Sequence, residues 1–113
     1  MKLYHLTPKN NVEQIKKEGL KINKKQYASI NENDGIYLTS SIKKLLQQEG
    51  EWNNDIAIFE IDNIFLLGLT LLVDWELVYD ECDSPFSFYT PENIPSNKIK
   101  LIGEINNRKT IMY

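Results

Sequence analysis

Helix-like patterning in this chain is confined to the stretch before residue 50, and strand-like patterning fills almost everything after residue 55. Val12, Ile15 and Leu20 mark the buried side of one early helix, and Ile42, Leu45 and Leu46 fall on one face of a second, predicted over Ile42–Gln48. Asn10, three residues ahead of Glu13, reads as the N-cap of the first helix with its capping-box partner, and Gly19 stands where a left-handed C-terminal cap belongs. The hydroxyls of Thr39-Ser40-Ser41 are placed to cap the second helix. Residues 55–62 alternate Ile56, Ile58 and Glu60 against Ala57, Phe59 and Ile61, and residues 65–73 are a second apolar run read as a core strand. Strands at residues 86–90, 99–105 and 110–113 follow, and two more, at residues 2–6 and 35–38, precede the helices they lead into. Residues 21–34 read as an irregular loop and 51–54 as a turn. Helices gathered early and strands gathered late describe an α+β domain rather than a doubly wound sheet.

Length and composition narrow the function. At 113 residues the chain has the size of one domain, able to bury roughly two thirds of its unfolded surface. The formal charge is −3, and Arg108 is the only arginine among thirteen basic residues, so no concentrated positive face is available and nucleic acid is not expected as a tight partner. Cys82 is the single cysteine, which leaves no disulfide framework. The opening MKLYHLTPKNN turns polar too quickly for a signal peptide, and the longest apolar stretch, at residues 64–73, is about half the roughly 20 residues of a membrane helix. A cytoplasmic protein without a membrane partner is expected. His5 is the only histidine: a Ser-His-Asp arrangement would depend on it, a metal site would need it plus carboxylates, and no GxxxxGK[ST] phosphate loop occurs. No metal is expected.

Four short motifs then stand in a particular order: YHLT at residues 4–7, a helix ending EGL at 18–20, GIYLT at 35–39 and IPSNKIKLI at 94–102. Together they resemble the ADP-ribosyltransferase superfamily, in the form YHxT, GL, GxYLT, IPPxxI of its short bacterial and phage members. The resemblance spans nearly all of residues 1–113 and implies a single domain with a small split β-sheet, two short helices and a cleft for NAD. It implies that His5 bonds a ribose hydroxyl, that the backbone at Leu6 holds the nicotinamide amide, and that Thr7 supports the adenosine side. Tyr37 would stack on the nicotinamide ring, where an electron-rich face suits a pyridinium cation. Gly35 would let its strand come close to the ligand, and Ser40 or Ser41 would bond the carboxamide. His5 and Tyr37 are expected on adjoining strands with both side chains facing one groove. Leu6 departs from the family, which usually has glycine there. Without the flanking motifs, His5 would read as an ordinary buried histidine and Tyr37 as a core aromatic.

The same resemblance places Ser87 where an acidic residue would begin the fifth strand. A glutamate there orients the nicotinamide-ribose hydroxyl and stabilises the positive sugar formed as nicotinamide leaves. Serine lacks that charge. Glu76, Asp80, Glu81, Asp83 and Glu92 lie in the segment reaching this strand, with Glu81 and Glu92 the first substitutes, although a solvated acidic loop is the plainer explanation of such residues. Trp52 and Trp75 read as loop anchors. The function implied is NAD-dependent mono-ADP-ribosylation of a protein, nucleic-acid or small-molecule acceptor. The alternative is a non-catalytic module of the same fold, such as a phage or mobile-element inhibitor, that occupies a partner protein and offers acidic residues 74–83 to a basic surface. RNA 2′-phosphotransfer, which shares the fold and NAD, needs several histidines and arginines, and a ribonuclease needs an acid and a base; one histidine and one arginine provide neither set.

Overall fold

Alternation over residues 56–61 makes a strand whose two faces are both buried, and the sheet extends outward from it on either side. The computed structural model describes residues 2–22, 35–48, 54–74 and 85–113. These form β1 (Tyr4–Pro8), β2 (Ile36–Thr39), β3 (Ile56–Ile61), β4 (Leu72–Val73), β5 (Ser87–Thr90), β6 (Ile99–Asn106) and β7 (Lys109–Met112). All the pairings are antiparallel, in the order β4-β5-β2-β1-β3-β6-β7. Among the described residues three short α-helices accompany them, one more than expected: α1 (Val12–Glu18), α2 (Ile42–Gln48) and α3 (Asn63–Leu66). The result is a mixed domain, mostly antiparallel sheet, as the early helices and late strands predict.

The two faces of the sheet carry separate apolar clusters. Ala57, Phe59 and Ile61 of β3 join Ile36 and Leu38 of β2 and Ile15 of α1 on one face. Ile56 and Ile58 join Leu6, Phe86, Ile105 and Leu45 of α2 on the other. A seven-residue helix is too short to persist alone in water, so α1 and α2 owe their stability to these contacts rather than to intrinsic propensity.

Local chemistry explains where the structure departs from the pattern. Lys9–Asn11 forms a 3-10 turn after Pro8, so α1 begins at Val12 with Asn11 rather than Asn10 at its cap, and no side chain caps it. Gly19 does adopt positive φ, 78°, and space requires glycine there as well: a methyl group would meet the Ser96 nitrogen at 2.7 Å. The Leu20 and Ile94 backbones exchange hydrogen bonds of 2.8 Å in both directions beside it. α2 has its predicted limits, and its capping hydroxyl is that of Ser41, which accepts from the Lys44 N–H at 3.2 Å.

The apolar run at residues 65–73 is corrected. It is a helical turn followed by a two-residue strand, because Asp62 accepts from the N–H groups of both Ile64 and Phe65 at 2.9 Å and nucleates α3. Ile64 and Leu67 point outward, 81% and 88% exposed, while Leu66 packs inward. Among the described residues, no helix is long and apolar enough to cross a membrane.

Candidate functional site

β1 pairs with β3 through five residues but with β2 at only one, Tyr4 with Thr39. Beyond that pair a side chain joins the two strands: His5 Nδ1 lies 2.9 Å from the Tyr37 carbonyl oxygen. A carbonyl only accepts, so Nδ1 carries the proton and donates, and Nε2 holds the lone pair. His5 is 1% exposed. Burial pushes its pKa down from 6.5 to about 4, with the bond to Tyr37 acting in the other direction, so the ring is neutral at pH 7.

The strand register decides which way each side chain leaves the sheet. Residues directly opposed in an antiparallel pair share a face, and successive residues alternate. His5 opposes Phe59, which belongs to the cluster under α1, whereas Tyr37 lies between Ile36 and Leu38 of that cluster and turns to the opposite face. The expectation of two side chains opening onto one groove is therefore corrected. What joins the two residues is the imidazole reaching the Tyr37 main chain through the parting of the strands. The Tyr37 ring packs instead against Tyr89 of β5, with centroids 5.6 Å apart and planes tilted by 35°.

The other sequence-predicted residues surround this junction. Leu6 packs in the cluster under α2, and Thr7, fully buried, accepts from the Asn11 side-chain amide at 3.0 Å. Gly35 does mark a close approach, but the neighbour is β5: a methyl group would meet Tyr89 Cδ2 at 3.0 Å and the Thr90 carbonyl at 3.2 Å. Ser40 donates its N–H to the Phe86 carbonyl at 3.0 Å, and the Thr39 hydroxyl donates to the same carbonyl at 2.8 Å. Ser87 is buried on β5 opposite Thr39. Glu92 is exposed beyond the far end of β5, where its carboxylate accepts from the Thr70 N–H at 2.7 Å. Glu81, with Glu76, Asp80, Asp83, Trp52 and Trp75, lies outside the described residues.

Two residues to which sequence reasoning gave no place in the site belong to this region, one of them, Asp74, read instead as the start of an exposed acidic contact surface. Asp74 is buried beside Ser87, whose hydroxyl donates to its carboxylate at 3.2 Å, and Tyr89 pairs with Tyr37 across β2 and β5. Tyr89 had a visible signal, standing two residues after Ser87 on the same strand face. The four motifs meet in pairs, YHLT with GIYLT through His5 and Tyr37, and EGL with IPSNKIKLI through Leu20 and Ile94. Chemically, the region combines a neutral imidazole acceptor, a pair of aromatic rings, buried hydroxyls and one buried carboxylate. The sequence matches no protein-family model, and no curated protein is significantly similar to it.

Proposed function

We propose that the protein binds NAD where β1 and β2 part and transfers ADP-ribose from it to an acceptor, as the resemblance to the ADP-ribosyltransferase superfamily implies. The observation that carries this reading is the direct bond between two motifs thirty-two residues apart, from the imidazole of YHLT to the main chain of GIYLT. NAD supplies a ribose already bonded to a positively charged leaving group, the nicotinamide. The Tyr37–Tyr89 pair offers a π-face to a pyridinium, and Nε2 of His5, which starts from the other face of the sheet, would meet a ribose hydroxyl only through the parting of β1 and β2. A neutral His5 suits this role, because a protonated ring would have no lone pair to offer.

Nε2 of His5 and the phenol oxygen of Tyr37 are both shielded from solvent, so NAD reaches them only by displacing the atoms that cover them. That shielding favours the second reading, a binding module that holds a partner protein and performs no chemistry.

Incubation of the purified protein with NAD, following thermal stabilisation and nicotinamide release together, separates the two. Binding to the folded state raises the melting temperature by mass action. Stabilisation with release supports the transferase, stabilisation alone supports a module that keeps the cleft, and the absence of both supports a module that keeps only the scaffold. His5→Ala and Tyr37→Ala should each weaken the stabilisation. If both variants respond to NAD as the parent does, the site is elsewhere.

A further inference from the structure

A buried carboxylate lies within hydrogen-bond reach of Ser87, the residue that the resemblance places where an acidic residue would stand. Asp74, the residue after β4, is 5% exposed and Ser87 is 4% exposed. Ser87 Oγ donates to Asp74 Oδ2 at 3.2 Å, while the Asp74 N–H donates to the Ser87 carbonyl at 2.9 Å and carries the β4–β5 ladder one residue further. Withdrawing a carboxylate from water costs several kcal/mol unless hydrogen bonds replace the lost hydration.

The register fixes which face the carboxylate occupies. Leu72 opposes Tyr89, so Asp74 opposes Ser87; Ser87 opposes Thr39, and Tyr89 opposes Tyr37. Asp74, Ser87, Thr39, Tyr89 and Tyr37 therefore share one face of the sheet. At strand spacings of about 4.8 Å and a rise of about 3.4 Å per residue, the Asp74 and Tyr37 Cα atoms lie roughly 12 Å apart. The Asp74 side chain leans over β5 toward Ser87 and shortens that span, leaving a distance that a stacked pyridinium ring and its attached ribose bridge. Glu92, by contrast, lies beyond the opposite end of β5 and is bonded to Thr70.

We infer that Asp74 is the carboxylate facing the nicotinamide ribose, and that Ser87 is the positioning residue that holds it there. The inference rests on the NAD reading above. In the step it serves, the bond between ribose C1′ and the nicotinamide nitrogen breaks, and its electron pair leaves on nicotinamide, which departs neutral. The positive charge left on the sugar faces the Asp74 carboxylate. An oxygen or nitrogen of the acceptor supplies the electron pair of the new C1′ bond and releases its proton to solvent.

The test is equilibrium binding, with no turnover required. Two probes are compared: ADP-ribose, and its analogue in which a protonated pyrrolidine replaces the reacting ribose and carries the positive charge permanently at pH 7. The parent should prefer the cationic probe by at least about tenfold, the scale of one 1.4 kcal/mol interaction. Asp74→Asn, of nearly the same shape, should bring the ratio close to one. Ser87→Ala should lower it partly, and Ser87→Thr, which restores a hydroxyl, should recover it. Thermal unfolding checks that each variant is folded, and Asp74→Glu, which keeps the charge, should retain the preference. Asp74→Asn retaining the full preference overturns the assignment, as does its loss in Glu81→Gln or Glu92→Gln instead. A parent that binds neither probe overturns the NAD reading and this assignment with it, whereas binding of both without dependence on Asp74 overturns the assignment alone.

Discussion

The β3–β6 side of the sheet and the β2–β5 side solve the problem of burial differently. β3 buries Ile56, Ala57, Ile58, Phe59 and Ile61, all apolar, and pairs with β6 through six residues. The β2–β5 side buries Ile36 and Leu38 as well, but adds Thr39, Ser87, Thr90 and the adjoining Asp74, and its link to β1 is a single residue pair plus the His5 side chain. Apolar burial is stabilising wherever shapes fit, whereas a buried polar group is tolerated only beside a specific partner. One side thus resembles a generic core. The other spends stability on geometry, and that is where a site is expected.

Removing material from the apolar side should produce the largest stability change. Phe59 is 1% exposed in the cluster under α1, and Phe59→Ala should destabilise the fold by about 3–5 kcal/mol in urea unfolding, through lost transfer energy and a residual cavity. A loss below about 1 kcal/mol would mean that this side is not the main source of stability.

The polar side should instead reveal itself through pH. Well above pH 6.5 His5 is neutral folded and unfolded, so it contributes no slope. Between 6.5 and about 4 the unfolded chain binds a proton that the folded chain refuses, so stability falls as pH falls. From pH 7 to pH 5 the parent should lose about 2 kcal/mol on this account, the integrated effect of that proton uptake. His5→Gln should remove that portion of the slope while Phe59→Ala keeps it. Equal slopes in parent and His5→Gln would show that the imidazole is not held neutral.

Thr39→Val should have a smaller effect than either. The substitution nearly conserves shape but deletes a hydroxyl that donates to the Phe86 carbonyl at 2.8 Å and accepts from the Ser41 N–H at 3.1 Å. A loss of about 1–2 kcal/mol is expected, because the buried carbonyl is left without that donor. A neutral result would mean that the β2–β5 junction tolerates apolar replacement as β3 does.

The apolar side was the more legible in sequence for the same physical reason. Period-two alternation follows directly from burial on both faces, and it located β3; one apolar face located α2 to the residue. Polar burial leaves no periodic trace. Asp74 looks like one more member of an acidic stretch until the β4–β5 register sets it against Ser87, thirteen residues further on. His5 and Tyr37 were visible only through their motifs, and the opposite faces they take follow from Tyr4 opposing Thr39, a register that no local pattern encodes. The same limitation misread residues 65–73, whose hydrophobicity suits a strand or a one-sided helical turn.

That misreading leads to the smallest and most discriminating test, a comparison of two aspartates. Asp62 and Asp74 both adjoin short apolar strands, yet Asp62 is exposed and accepts from two backbone N–H groups at the start of α3, while Asp74 is buried against a side-chain hydroxyl. An N-cap of this kind contributes about 1 kcal/mol, and an amide oxygen can also accept from those N–H groups. Asp62→Ala should therefore lose about that amount in unfolding experiments, Asp62→Asn should lose only part of it, and neither should alter the preference for a cationic ribose mimic. Asp74→Asn should show the opposite balance, with its principal effect on that preference. If Asp62→Asn and Asp74→Asn change stability and probe selectivity alike, the distinction drawn between a structural and a functional carboxylate fails, and the buried Asp74–Ser87 pair is only another way of ending a strand.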